Sequence, residues 1–81
     1  MKKKLSPHSP FKEIIIFENS NFIIINKPQH ISTLEDRSSP MNILKWARTY
    51  FNEAKVCHRL DKTTSGILVI AKNYVTYKYF S

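Results

Sequence analysis

Two short apolar runs dominate the first third of the chain. They are EIIIFE (13 to 18) and FIIINK (22 to 27), and three polar residues, 19 to 21, separate them. Both runs are rich in β-branched residues, and a three-residue polar link is typical of a β-hairpin. Their isoleucines do not alternate with polar residues, which predicts strands covered on both faces. The second strand is expected to end at Lys27-Pro28, because proline has no N–H to donate to a ladder.

A helical pattern follows a polar loop over residues 29 to 38. Within MNILKWARTYFNEA (41 to 54), apolar side chains recur at helical spacing and predict an amphipathic helix docked on the sheet. The apolar positions are Ile43, Leu44, Ala47, Tyr50, Phe51 and Ala54. Ser39 is the expected N-cap and Pro40 the expected first helical residue.

The last third predicts one more strand and one more helix. Ile67 to Ala71 is a short apolar run, and Asn73 can cap a helix that directs Tyr74, Tyr77 and either Phe80 or Val75 to the core. The element order β-β-α-β-α indicates an α+β fold, with helices packed on a mixed or antiparallel sheet. Residues 1 to 12 contain Pro7 and Pro10 and are interpreted as a flexible basic arm ahead of a domain over 13 to 81.

Composition narrows the class of protein. The chain has 81 residues, of which 42% are hydrophobic and 12% aromatic, so it forms at most one small domain and is not disordered throughout. Thirteen Lys and Arg against six Asp and Glu give a formal charge of +7. Such an excess favours a polyanionic partner, since neutralised phosphates release counterions, although a solvated basic surface would have the same composition.

Targeting signals are not recognisable in the sequence. Cys57 is the only cysteine, so no internal disulfide can form and a reducing compartment is expected. The N-terminus lacks the apolar stretch of a secretory signal, and no apolar run approaches the ~20 residues that span a bilayer. We therefore expect a cytoplasmic protein.

The turn HRLDKTTSG (58 to 66) carries the candidate chemistry. In an extended chain Arg59 and Asp61 lie on one side, close enough to pair, and the neighbouring positive charges favour an ionised carboxylate. The hydroxyl residues 63 to 65 can hold a turn or approach an anion, and Gly66 permits a backbone conformation that other residues resist. Taken alone, these residues fit an ordinary loop as well as a catalytic one.

The turn and the strand that follows it closely resemble a family signature. HRLDKTTSG followed by ILVIAK (67 to 72) resembles the HRLD, TSG, apolar-strand and AK motif of the RluA-type pseudouridine synthases. Phe17 to Pro28, ending in Asn-Lys-Pro, is similar to the hairpin that this family carries about thirty residues upstream of the motif. The HRLD block is long and specific, whereas the Asn-Lys-Pro motif alone would be weak. The resemblance extends over nearly all of residues 13 to 81.

The resemblance implies an activity and its residues. Enzymes of this family convert uridine in RNA to pseudouridine without cofactor or metal. Their catalytic aspartate falls on Asp61, and the arginine that helps to hold the target nucleotide flipped out falls on Arg59. His58 belongs to the same motif and is taken as a further RNA-binding candidate. The implied partner is RNA, either transfer or ribosomal, with no membrane and no metal.

Three departures from the family pattern qualify this expectation. The family usually has glycine where this chain has His30, so the loop after Pro28 is expected to differ in shape. Cys57 occupies a position where valine is common. The family's catalytic domain continues for more than a hundred residues beyond the point matched by Ser81. The resemblance therefore implies the N-terminal portion of a catalytic domain, and the isolated chain is expected to have little or no turnover.

Two other interpretations stay open from the sequence. A non-catalytic, basic RNA-binding remnant would keep the positive charge and leave Asp61 idle, and a small structural module would use neither. Cys57 and His58 point apart in an extended chain, and the histidines lack metal-ligand spacing, so neither a nucleophile pair nor a zinc site is expected. Lys27 could approach an RNA phosphate or simply protect a strand edge.

Overall fold

A hairpin opens the folded part of the chain. The computed structural model describes residues 10 to 34, residue 37 and residues 41 to 81. Strands β1 (Ile15–Glu18) and β2 (Phe22–Lys27) pair antiparallel, with a bulge in β1 between Ile15 and Phe17. The Asn19 side chain accepts hydrogen bonds from the backbone N–H groups of Asn21 and Phe22, at 2.8 and 2.9 Å. The predicted hairpin and its polar turn are therefore confirmed.

Two further strands complete the sheet. They are β3 (Lys55–Val56) and β4 (Gly66–Ala71), and the strand order is β1-β2-β4-β3 with every neighbouring pair antiparallel. The predicted α+β class is confirmed, and among the described residues the sheet is wholly antiparallel rather than mixed. Lys27 pairs with Gly66 at one end of the long β2–β4 ladder, and Phe22 pairs with Ala71 at the other.

The first helix is shorter than the sequence predicts. Helix α1 spans Ile43–Tyr50, and the Asn42 side chain caps it by accepting a 2.9 Å hydrogen bond from the N–H of Lys45. The predicted start at Ser39-Pro40 is wrong, because Asn42 supplies the cap three residues later; residues 39 and 40 themselves lie outside the described part. The predicted end at residue 54 is also wrong, since Phe51 already has extended backbone angles.

The core lies on one face of the sheet, beneath α1. Its fully buried side chains are Ile23, Ile25, Leu68 and Ile70 of the sheet and Ile43, Trp46 and Ala47 of the helix. A 3-10 helix, Phe11–Ile14, closes one side: Phe11 is buried and packs edge-to-face on Trp46 at 5.6 Å between ring centroids. Ordered structure thus includes Phe11 and Lys12, which the sequence assigned to the arm; residues 1 to 9 lie outside the described part.

The opposite face of the sheet is largely open. Phe17 and Ile67 are 51% and 57% exposed, so the prediction of strands covered on both faces is wrong for the described residues. Helix α2 (Tyr74–Phe80) is capped by Asn73 as predicted, but none of its residues is buried and Tyr74 is 61% exposed. Tyr77 is half-buried, and Phe80 packs edge-to-face on Phe22 at 5.6 Å.

Candidate active site

The segment from Cys57 to Ser65 connects β3 to β4 and carries every site residue named from the sequence. His58, Arg59 and Asp61 are exposed on it, whereas Leu60 is half-buried against the core. The expected Arg59–Asp61 ion pair is absent: within the described residues, no hydrogen bond or ion pair ends on the Asp61 carboxylate. The structure therefore brings these residues together on one surface segment without pairing their charges.

Cys57 lies beside these exposed residues but faces inward. It is 8% exposed, and burial raises the pKa of its thiol, with a smaller opposing effect from a hydrogen bond to the backbone of Ala71. A raised pKa keeps the sulfur protonated and unreactive at neutral pH. Cys57 is consequently a packing residue.

The backbone around Asp61 is held by a buried lysine at the end of β2. The Lys27 ammonium donates to four carbonyl oxygens: Thr64 at 2.8 Å, Pro28 at 3.0 Å, Asp61 at 3.2 Å and Lys62 at 3.3 Å. The side chain is 0% exposed, and this burial lowers the pKa of Lys27, while the Asp61 charge acts in the opposite direction. Both expectations for Lys27, a phosphate contact and an exposed strand-edge lysine, are therefore wrong.

A second set of hydrogen bonds joins the loop after β2 to the same segment. The Thr33 hydroxyl donates to the carbonyl of Leu60 at 3.0 Å and accepts from its N–H at 3.1 Å. The N–H of His30 donates to the carbonyl of Lys62 at 2.7 Å. Thr33 is 3% exposed, so both of its bonds are protected from water.

His30 has a left-handed backbone, with φ of +69°. This is the position where the family pattern has glycine, which adopts such angles without steric cost. The expectation that this loop differs in shape was based on the missing glycine. In this chain a histidine occupies the left-handed conformation that glycine favours, and its N–H makes the contact to Lys62. The expected difference in loop shape stays a prediction.

The end of the segment is set by a short turn and a glycine. The N–H of Thr64 donates to the carbonyl of Asp61 at 2.9 Å. Gly66 has φ of +145°, which side-chain-bearing residues rarely adopt, and it is in register with Lys27. The predicted need for glycine at this position is confirmed.

His58 continues the edge of β4 where β3 stops. The last β3 pair is Val56 with Ile70, and one step further along β4 the N–H of Val69 donates to Nε2 of His58 at 3.3 Å. This bond engages Nε2 and leaves Nδ1 as the ring nitrogen without a contact to Val69. This interaction ties the imidazole to the edge of β4.

Sequence reasoning missed Lys27 and Thr33 as residues that hold the site. The signal for Lys27 was present in the strand alternation, because Ile23, Ile25 and Lys27 lie on the same face of β2 and the first two are fully buried. No comparable pattern marks Thr33, whose role depends on a partner 27 residues away.

Two surface clefts lie away from Asp61. One of about 540 Å³ is lined by residues of α2 and the start of β2, including Phe22 and Phe80. The other, about 360 Å³, is lined by Leu34, Arg48 and Tyr77 among others. Within the described ranges, no group of three His, Cys, Asp or Glu side chains could hold a metal ion, and none of the helices could span a bilayer.

Comparison with known proteins identifies the family. Residues 21–81 match the RNA pseudouridylate synthase family, which is more than half of the chain. The chain belongs to this family. The matched range contains the whole Cys57 to Ser65 segment and the Lys27 and Thr33 contacts that hold it.

Curated relatives agree with this assignment. The ribosomal large subunit pseudouridine synthase C of Rickettsia bellii is 42% identical over 67 aligned residues, covering 79% of this chain and 22% of the relative. The dual-specificity RNA pseudouridine synthase RluA of Vibrio vulnificus is 37% identical over 75 residues, covering 90% and 30%. The chain thus spans less than a third of either relative.

Solved structures show the same fold. Human RNA pseudouridylate synthase domain containing 1 superposes with a TM-score of 0.71 and 23% identity, covering 95% of this chain and 28% of the human chain. At this level of identity the likeness establishes the fold of the described residues and nothing finer.

Proposed function

We propose that this chain acts in the isomerisation of uridine to pseudouridine in RNA, with Asp61 as the reacting carboxylate. The observation that carries the proposal is the state of Asp61: its side chain is exposed and, within the described residues, has no hydrogen-bond or ion-pair partner, while its backbone is fixed by Lys27. A carboxylate that is held in place and not occupied by a partner is available to a substrate.

The proposed reaction exchanges one bond to the ribose for another. The N1–C1′ bond breaks, the uracil reattaches through C5, and the proton lost from C5 is balanced by one gained at N1. An ionised carboxylate suits this change, either as nucleophile or by stabilising positive character on the sugar, as in other glycosidic bond cleavages. No cofactor is required by this balance.

Arg59 and His58 are proposed to contact the RNA. Unstacking a base costs a few kcal/mol, and the exposed Arg59 guanidinium, two residues from Asp61, can offset this cost by binding the displaced nucleotide or its phosphate. His58 already accepts a hydrogen bond at Nε2, so we assign its contact with RNA to Nδ1–H or to the ring face.

The net charge supports an RNA partner. A formal charge of +7 on 81 residues predicts binding that weakens steeply with salt. The relatives' names include both ribosomal large subunit and dual-specificity RNA synthases, and we leave transfer and ribosomal RNA as alternative targets. We propose a cytoplasmic location, where such RNA is found.

The chain spans only part of the length of its relatives, and this affects the turnover we expect from it. Because it spans 22% to 30% of these relatives, we propose that residues 13 to 81 correspond to the N-terminal portion of a catalytic domain. The isolated chain is expected to convert uridine slowly or not at all.

The decisive experiment uses RNA that carries 5-fluorouridine, which traps the enzyme as a covalent adduct. It is done with the chain itself and with a hybrid in which this chain replaces the corresponding segment of the Rickettsia bellii synthase C. We expect the hybrid to form the adduct and to release pseudouridine from unmodified RNA, and Asp61→Asn to abolish both. An Asp61→Asn hybrid that keeps its activity would refute the assignment.

A non-catalytic RNA-binding remnant is the second candidate, favoured by the high positive charge. It predicts RNA binding by the chain with steep salt dependence, no change on Asp61→Asn, and no adduct in either protein. Adduct formation that depends on Asp61 separates the two functions directly.

A further inference from the structure

Lys27 is unusual because its charge is buried without a carboxylate contact. It lies at the end of β2 on the same face as Ile23 and Ile25, and its side chain is 0% exposed. Three ammonium hydrogens are shared among four carbonyl oxygens at 2.8 to 3.3 Å. Burying an ammonium group is costly unless it is fully hydrogen-bonded, so these carbonyls are what permit the charge to remain there.

Three of the four carbonyls belong to the segment that presents Asp61. They are those of Asp61, Lys62 and Thr64, which follow Lys27 by 34 to 37 residues in the chain. The fourth is that of the adjacent Pro28. One side chain therefore connects the end of a core strand to both sides of the Asp61 turn.

The contact spares the Asp61 carboxylate. The Asp61 charge favours protonated Lys27 electrostatically, yet no ion pair within 4 Å joins the two side chains in the part of the chain that the structure describes. A lysine that paired directly with Asp61 would occupy the carboxylate. Bonding to the backbone instead fixes the position of the residue and leaves its side chain exposed.

We propose that Lys27 is a positioning residue for Asp61, acting through the backbone carbonyls of residues 61 to 64. The effect on catalysis rests on the proposed function of Asp61. The mechanical link, meaning the hydrogen bonds from Lys27 to the backbone of residues 61 to 64, does not depend on that function. Lys27→Met keeps the length of the side chain but removes all of its donors. The carbonyls of the turn then lose their partner, and the turn becomes free to move relative to β2.

The first test measures hydrogen exchange by NMR in the 81-residue chain. In Lys27→Met we expect the Thr64 and His30 amides, which bond to Asp61 and Lys62, to exchange about tenfold faster or more. The Trp46 amide inside α1 should change much less. Lys72→Met is the matched control, because Lys72 lies at the other end of the sheet in an ion pair with Glu18; it should leave the Thr64 and His30 amides unchanged.

Two results would overturn the mechanical link. The first is unchanged exchange at Thr64 and His30 in Lys27→Met; the second is faster exchange by the same factor at Thr64, His30 and Trp46, which would indicate a general loss of stability. If Lys27→Met fails to fold, reductive methylation of the unaltered chain tests whether the Lys27 amine is buried in this contact. The Lys27 amine should react about tenfold slower or more than those of Lys72 and Lys78, and comparable rates would refute the buried contact.

The second test addresses catalysis in the hybrid synthase. Lys27→Met is expected to lower kcat about tenfold or more with KM within about twofold, because substrate contacts are kept and the reacting group is misplaced. Lys72→Met should change neither. A rise in KM with kcat preserved would instead make Lys27 an RNA-binding residue and overturn the proposal. If the hybrid were inactive both with Lys27 and in the Lys27→Met variant, the result would count against the proposed function. The hydrogen-exchange test would still show whether Lys27 holds the Asp61 turn.

Discussion

At each end of the β2–β4 strand pair an acidic residue lies near a lysine of the sheet or its border, but the two ends use this pair differently. At the Phe22–Ala71 end, Lys72 forms an ion pair with Glu18, and the Tyr50 hydroxyl donates to the same carboxylate at 2.6 Å. At the Lys27–Gly66 end, the lysine binds backbone carbonyls and the Asp61 carboxylate has no such partner among the described residues.

Burial explains the difference. Lys72 is 14% exposed and Glu18 26%, so water can still hydrate the two charged groups. The Lys72 ammonium therefore does not need several backbone carbonyls as acceptors, as Lys27 does. Lys27 is fully buried, and its ammonium must be satisfied by nearby carbonyls. The comparison teaches that an acid and a lysine close to each other can form either a closed ion pair or an open site, depending on which acceptor reaches the amine.

The largest effect we expect tests the backbone bonds at the Asp61 end. Thr33→Val keeps the shape of the side chain but leaves the N–H and C=O of Leu60 without their partner, so the free energy of unfolding should fall by about 2 kcal/mol. Denaturant unfolding of the chain measures this loss. Thr49→Val is the control: Thr49 is exposed, its hydroxyl donates to Trp46 in the same helix, and the change should stay within about 0.5 kcal/mol. Equal losses in both variants would contradict a special role for Thr33.

A smaller effect of opposite sign is expected at His30. Its φ of +69° is unfavourable for any residue with a Cβ, at a cost of roughly 1 to 2 kcal/mol. Glycine avoids this cost, but it also gives the unfolded chain more conformational freedom, which offsets part of the gain. His30→Gly should therefore raise the free energy of unfolding by up to about 1 kcal/mol.

His30→Ala serves as the control for this prediction, because alanine meets the same backbone penalty and should bring no gain. Both variants can be measured by denaturant unfolding. If glycine and alanine had the same effect, the left-handed conformation would not be the cause, and the Asp61 end would hold no strain at this position.

The smallest effect concerns the ion-paired end. Glu18→Gln should cost only about 0.5 kcal/mol at neutral pH, since partly exposed pairs contribute little. The bonds from Lys72 and Tyr50 lower the pKa of Glu18 below its ordinary value of 4.5. A depressed folded pKa gives stability that is present above 4.5 and is lost as pH falls through the lower folded value.

The dependence of the free energy of unfolding on pH therefore reports on the Glu18–Lys72 end of the sheet. Unfolding measured between pH ~6 and pH ~3 should show a shallower acid loss in Glu18→Gln than in the unaltered chain. Glu53→Gln, at an exposed residue, should keep the original acid dependence. Identical profiles in all three proteins would show that the Glu18 contacts contribute no stability.

Much of the site was predictable because it is written in contiguous residues. The HRLD motif placed Asp61, Arg59 and His58 on one exposed segment, and Gly66 has the backbone angle that its position requires. The expected ion pair between Arg59 and Asp61 was wrong, because only Lys55 and Val56 of the preceding stretch form a strand. The chain bends at Cys57 and His58 and does not continue as a strand through Leu60.

Elements with local signals could be predicted from the sequence: the hairpin turn at Asn19, the helix cap at Asn73 and the apolar strand β4. Tertiary structure brings Lys27 and Thr33 to their acceptors, since all of these except the carbonyl of Pro28 lie 27 to 37 residues away along the chain. Burial of a charged or polar group forces it to take whatever partners the packed fold supplies, and no local pattern encodes that choice. Because Lys27 bonds to backbone carbonyls and not to the Asp61 carboxylate, that carboxylate stays exposed.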